Sequence, residues 1–220
     1  KPPEISNPLL DFSGLPRYAS IRIEHVESAV DTLLAENRSL VEGLTLSSTP
    51  ATWEAVVKPL EEANERLSRA WGAVSHLHGV LDSPELRATY ESNQPKIVQY
   101  FTELGQNLKL FDKYKQLRAS AGYPRFEPAQ KKIVENELRE FRLSGAELPD
   151  SEKQRFAAIQ EELARVCTQY SNNVLDATNA FALIVDNLGE LDGMPEDAIE
   201  AAREAAKKDG VQGWKLTLKA

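Results

Sequence analysis

The sequence holds 220 residues, with 34 acids against 26 bases and a formal net charge of −8. That balance excludes a nucleic-acid-binding surface, which needs clustered Lys and Arg, and no run of about 18 apolar residues is present to cross a membrane as a helix. Apolar residues at 41% and charged residues at 27% fit a globular protein, and the single cysteine, Cys167, excludes an intrachain disulfide.

Residues 1–20 carry four of the twelve prolines (Pro2, Pro3, Pro8 and Pro16), and proline offers no N–H to a regular element. The segment reads as an extended arm with local contacts from Leu9, Leu10 and Phe12. Lys1-Pro2-Pro3 has neither an initiator Met nor a charged-then-apolar leader pattern, so a processed or trimmed start is expected.

Helical periodicity then runs almost without interruption. A first helix is predicted over 24–43, where Val26, Val30, Leu33, Asn37, Leu40 and Leu44 trace one face. A second, over 51–80, keeps that rhythm from Trp53 to Leu77, with Thr49 or Thr52 as cap and an irregularity at Pro59. A third begins at Ser83-Pro84, an N-cap followed by proline. It is read through Leu86, Tyr90, Ile97, Phe101, Leu104, Leu108 and Phe111, bent at Pro95.

A short fourth helix covers 128–143 through Val134, Leu138 and Phe141. The fifth has the clearest stripe: Phe156, Ile159, Leu163, Val166, Tyr170, Val174, Ala177, Phe181 and Ile184 step by three or four, which predicts a helix from Asp150 to about Val185. A sixth covers 195–208. Trp214-Lys215-Leu216-Thr217-Leu218 alternates with period two and reads as a strand.

The fold class is therefore all-α: a bundle of about six helices, several long and Pro-kinked, with an extended N-terminal arm and one terminal β-strand. Its domains are an arm at 1–20, a helical lobe at 21–210 and the start of a strand at 211–220. No other predicted element pairs with that strand, whose backbone needs a ladder. The expectation is that the polypeptide continues past residue 220 into a sheet.

The chemistry-bearing residues are few. His76 and His78 are two apart, about 200° around a helix, so they do not face one metal ion. Cys167 falls mid-helix beside the apolar stripe, where a thiol behaves as a small hydrophobe. No G-x-S-x-G, G-x-x-x-x-G-K-[ST] or G-x-G-x-x-G pattern occurs. Adjacent acids such as Glu61-Glu62 and Glu161-Glu162 point about 100° apart on a helix and read as solvated faces.

One stretch stands apart. Residues 170–179 place Ser171, Asn172, Asn173, Asp176, Thr178 and Asn179 inside the longest helix, although such side chains compete with the backbone for hydrogen bonds. They either bond to neighbouring elements or line a polar cavity.

Tyr-Ser-Asn-Asn-Val-Leu-Asp-Ala-Thr at 170–178 is followed by Gly-Met-Pro-Glu at 193–196 and Lys-Leu-Thr-Leu at 215–218. Leu-Ser-Gly (143–145), Ala-Gln-Lys-Lys (129–132), Ser-Pro-Glu-Leu-Arg (83–87), Val-Ser-His-Leu (74–77), Thr-Trp-Glu (52–54), Glu-His-Val (24–26) and Asn-Pro-Leu-Leu (7–10) precede them. This ordered series resembles the N-terminal part of the thimet oligopeptidase/neurolysin family of zinc metallopeptidases.

The resemblance implies a mostly helical ellipsoid with two lobes around a deep channel that admits short, unfolded peptides. The N-terminal lobe walls one side. The catalytic lobe follows, its zinc held by H-E-x-x-H and a more distant Glu. The two His of that motif ligate zinc and its Glu is the general base. This sequence contains no H-E-x-x-H. The resemblance therefore places the catalytic lobe beyond Ala220, assigns zinc to the full-length enzyme and assigns no catalytic or metal residue here.

Tyr170, Asn172, Asn173 and Asp176 are the substrate-channel candidates. The implied partners are short peptides and the catalytic lobe of the same polypeptide, with no nucleic acid and no membrane. The implied location is the cytoplasm, or an organelle if a transit peptide has been removed. The rival reading is a stand-alone helical module that binds a peptide or partner protein without catalysis.

Overall fold

The computed structural model describes residues 7–218. The first six residues of the arm, and the last two of the terminal segment, lie outside them. Seven α-helices and two strands occur among the described residues: α1 (Glu24–Leu44), α2 (Lys58–Leu81), α3 (Pro84–Gly105), α4 (Leu108–Ala119), α5 (Pro128–Leu143), α6 (Asp150–Ala180), β1 (Ala182–Val185), α7 (Glu196–Lys208) and β2 (Trp214–Thr217). The chain divides into two compact units, one reaching Arg165 and the other starting at Val166. Among the described residues, no helix is long and apolar enough to cross a membrane.

The first unit is built on two apolar cores. Val26, Val30 and Leu33 of α1 meet Leu67 and Val74 of α2 and Ile97 of α3 in one of them. Leu9 of the arm is buried in the same core, with Leu10 and Phe12 packed against it. Asn7 fixes the arm by donating to the His25 carbonyl at 2.8 Å and the Ser28 hydroxyl at 3.1 Å. The second core joins Leu44 of α1, Leu60 of α2, Leu110, Phe111 and Tyr114 of α4, and Val134, Leu138 and Phe141 of α5.

The helix starts follow their local chemistry. Ser83 Oγ accepts from the Leu86 N–H at 3.2 Å, with Pro84 opening α3. Thr52 Oγ1 accepts from the Ala55 N–H at 3.2 Å. The turn it caps, Trp53–Val57, is wound as a π-helix before α2 begins. Pro59 lies in the first turn of α2 and has no N–H for the ordinary α-helical bond, which accounts for the looser winding there.

Two boundaries differ from the sequence reading. The predicted third helix is two helices, α3 and α4. Gln106 ends the first, and Asn107 caps the second by accepting from the Leu110 N–H at 3.0 Å. This break resets the helical phase that follows it, so Leu110, outside the predicted stripe, is buried while Leu108 is exposed. Gly105 permits the break to pack closely, because a Cβ there would sit 2.7 Å from Ser144 Cβ.

The second difference lies in the other unit. The predicted fifth helix stops at Ala180 rather than Val185, and its last residues form β1. β1 pairs antiparallel with β2, with Ala182 opposite Thr217 and Val185 opposite Trp214. The terminal strand therefore has a partner within the chain, contrary to the expectation that no other element pairs with it. Gly213 makes the approach possible: its φ is 95°, and a Cβ would lie 2.2 Å from the Val185 carbonyl oxygen. α7 closes in a Schellman turn, with Val211 N–H on Ala206 O at 2.9 Å and Gly210 at φ 69°. Its buried Ala202 and Ala206 are small, and Arg203 lies over the Trp214 ring at 5.7 Å.

Candidate functional site

The histidines take structural places. His25 Nδ1 accepts from the Arg22 N–H at 3.0 Å, bracing the entry to α1. His76 packs on Tyr18, ring centroids 5.3 Å apart. His78 is buried and lies flat on Tyr90 at 4.4 Å, with Trp71 stacked on Tyr90 at 4.7 Å. Among the described residues, no three His, Cys, Asp or Glu converge as a metal-binding group. These donors do not fit a zinc site, because His76 and His78 leave α2 toward different aromatic neighbours.

The most perturbed carboxylate is Glu137 on α5. Burial, reinforced by the charges of Glu61 and Glu140, pushes it from 4.5 up to about 7. Beside it the Tyr114 phenol is fully buried, its hydroxyl has no partner, and burial holds its pKa far above the usual value. Tyr114 belongs to the second apolar core. Two clefts of about 210 and 430 Å³ share Val41, Glu42 and Asn107. Arg38 and Glu103 line the smaller and pair with each other at 3.0 Å, whereas Glu42, Lys109 and Lys153 line the larger.

The polar run of α6 divides by face. Tyr170, Asn173, Asp176 and Asn172 follow one another in that order around the helix, across an arc of about 160°. Asn172 is buried; Tyr170, Asn173 and Asp176 are exposed. Gln169 Nε2 donates to Asn173 Oδ1 at 3.4 Å. The four candidates thus spread over nearly half of the helix surface, three of them exposed and Asn172 buried.

Ile159, Leu163, Val166, Tyr170 and Val174 are all exposed, and Asn172 is the one buried residue in a helix of 31. In α1, by contrast, eight residues are buried, from Val26 to Leu44. β1 repeats the pattern: Leu183 and Ile184 are 50% and 42% exposed. A strand apolar on both faces is the mark of one built for burial on both.

Residues 30–153 match the family model described as the N-terminal domain of neurolysin/thimet oligopeptidase. The chain belongs to the neurolysin/thimet oligopeptidase family. Its relatives include oligopeptidase A of Haemophilus influenzae, 42% identical over 97% of this chain and 31% of that protein. Oligopeptidase A of Escherichia coli is 42% identical over 97% of this chain and 32% of its own length. A probable cytosolic oligopeptidase A of Arabidopsis thaliana is 34% identical over 98% of this chain and 32% of its own length. The chain therefore spans about a third of the curated relatives it matches. Membership accounts for the site chemistry: what the family model matches here is an N-terminal domain, formed of apolar helical cores.

Proposed function

We propose that this chain is the N-terminal helical lobe of a zinc-dependent oligopeptidase that hydrolyses short peptides. The observation that carries the reading is the 42% identity to oligopeptidase A sustained over 97% of the chain. The lobe walls the substrate channel and limits substrate size, and the catalytic site lies in the rest of the polypeptide. Tyr170, Asn172, Asn173 and Asp176 are proposed to contribute to the channel surface. The same reading places the enzyme in the cytoplasm, acting on free peptides.

Physically, a wall needs rigidity rather than reactivity. Two close-packed cores resist deformation, and a folded protein cannot enter a channel whose walls do not yield. Zinc chemistry, a polarised water with a carboxylate base, belongs to residues this chain does not carry. The test is a quenched-fluorescence peptide assay on the full-length protein. Turnover of short peptides that is abolished by a chelator and restored by zinc is the expected result; chelator-resistant turnover overturns the reading.

A further inference from the structure

We propose that the apolar face formed by Val166, Cys167 and Val174 on α6 is the seat of the polypeptide that follows residue 220 in the full-length protein. The proposal rests on the oligopeptidase reading and deepens it by naming where the lobe receives its partner.

Several observations meet on this surface. Val166 and Val174 are each 47% exposed, yet both belong to a stripe of helical period, which a helix facing water on all sides does not need. Cys167 is exposed beside them, one residue after Val166 and seven before Val174. In the same unit, among the described residues, β1 and β2 form a sheet of two strands, and a pair of strands is marginal in water without further cover.

The choice of occupant follows from chain length and position. The matched family model is an N-terminal domain, and the chain covers 31% of the Haemophilus relative, so the larger part of such a protein follows this region. β2 ends at Thr217, so whatever follows starts beside the sheet. A tethered segment acts at an effective concentration on the order of millimolar. It therefore outcompetes a second copy of the chain at ordinary protein concentrations. A short peptide substrate leaves by turnover and cannot give permanent cover.

The experiment uses the full-length protein and follows alkylation of Cys167 by mass spectrometry of the peptide that contains it. Cys167 is expected to react about tenfold or more slowly in the native protein than in urea. In the Val174→Asp variant it should react faster and the thermal midpoint should fall, while Glu161→Gln changes neither. Native reactivity equal to that in urea overturns the proposal. So does protection that appears only with added peptide, or only as a dimer forms by sedimentation. If Val174→Asp does not fold, the native rate still decides. A chelator-sensitive peptidase with a freely reactive Cys167 defeats the docking face alone. A protected Cys167 in a protein without peptidase activity defeats the oligopeptidase reading alone.

Discussion

Glu137 shows how one side chain records its surroundings. Its carboxyl is raised from 4.5 to about 7 because burial and the neighbouring charges of Glu61 and Glu140 disfavour ionisation. In the unfolded chain the same group loses its proton near the ordinary value. Between these limits the folded state binds more protons, so stability falls as pH rises from about 4.5 through 7 and is fully retained below that window. Glu137→Gln removes the charge. It should stabilise the chain by about 1–3 kcal/mol at pH 8 and by nothing measurable at pH 4. Urea midpoints at the two pH values check this; an equal effect at both would locate the cause in packing. Nothing in the sequence marks Glu137 apart from the other acids, since its neighbours come from α2 and α5 together. Lys113 is similar. Its ammonium is buried and donates to the Leu46 and Thr49 carbonyls, a loop anchor with no local signature.

At the scale of elements, legibility followed the locality of the cause. The starts of α3 and α5 and the face of α1 rest on prolines, caps and stripes within a few residues, and each stands where the sequence puts it. The β1 boundary does not. Phe181 and Ile184 continue the helical step, so the stripe runs unbroken into the strand, and a short apolar run cannot be assigned by period alone. β-branched Ile184 and Val185 before Asp186-Asn187 were the available signal. What decides the matter is distant: β2, thirty residues on, pairs with β1 through the close approach at Gly213. Gly213→Ala confronts both the positive φ and the Val185 carbonyl. It should weaken the sheet by about 1–3 kcal/mol. Amide exchange should then quicken at 182–185 and 214–217 and stay unchanged in α1 and α2. Uniform acceleration would mean that the sheet and the first unit unfold as one.

The whole molecule poses a question of division of labour. The family was legible because blocks such as 83–87 and 170–178 keep their order along the chain, whereas the channel candidates spread over about 160° of α6, so helical spacing alone names no single face for them. If the lobe governs which peptides enter but takes no part in bond cleavage, softening its core should alter selectivity and spare chemistry. Leu33 is fully buried in the first core, between α1 and its neighbours. Leu33→Ala leaves a cavity costing about 2–5 kcal/mol, with no change of charge and no loss of a hydrogen bond. In the full-length protein, assayed below its melting temperature, kcat/KM for the shortest peptides should stay within about threefold, a difference of under 1 kcal/mol in transition-state stabilisation. Longer or partly structured substrates should gain relative to short ones, because a wall that fluctuates more admits larger cross-sections. Chelator sensitivity should be unaltered. If short and long substrates lose turnover in parallel, the lobe contributes to the chemical step itself, and its role as a wall is wrong.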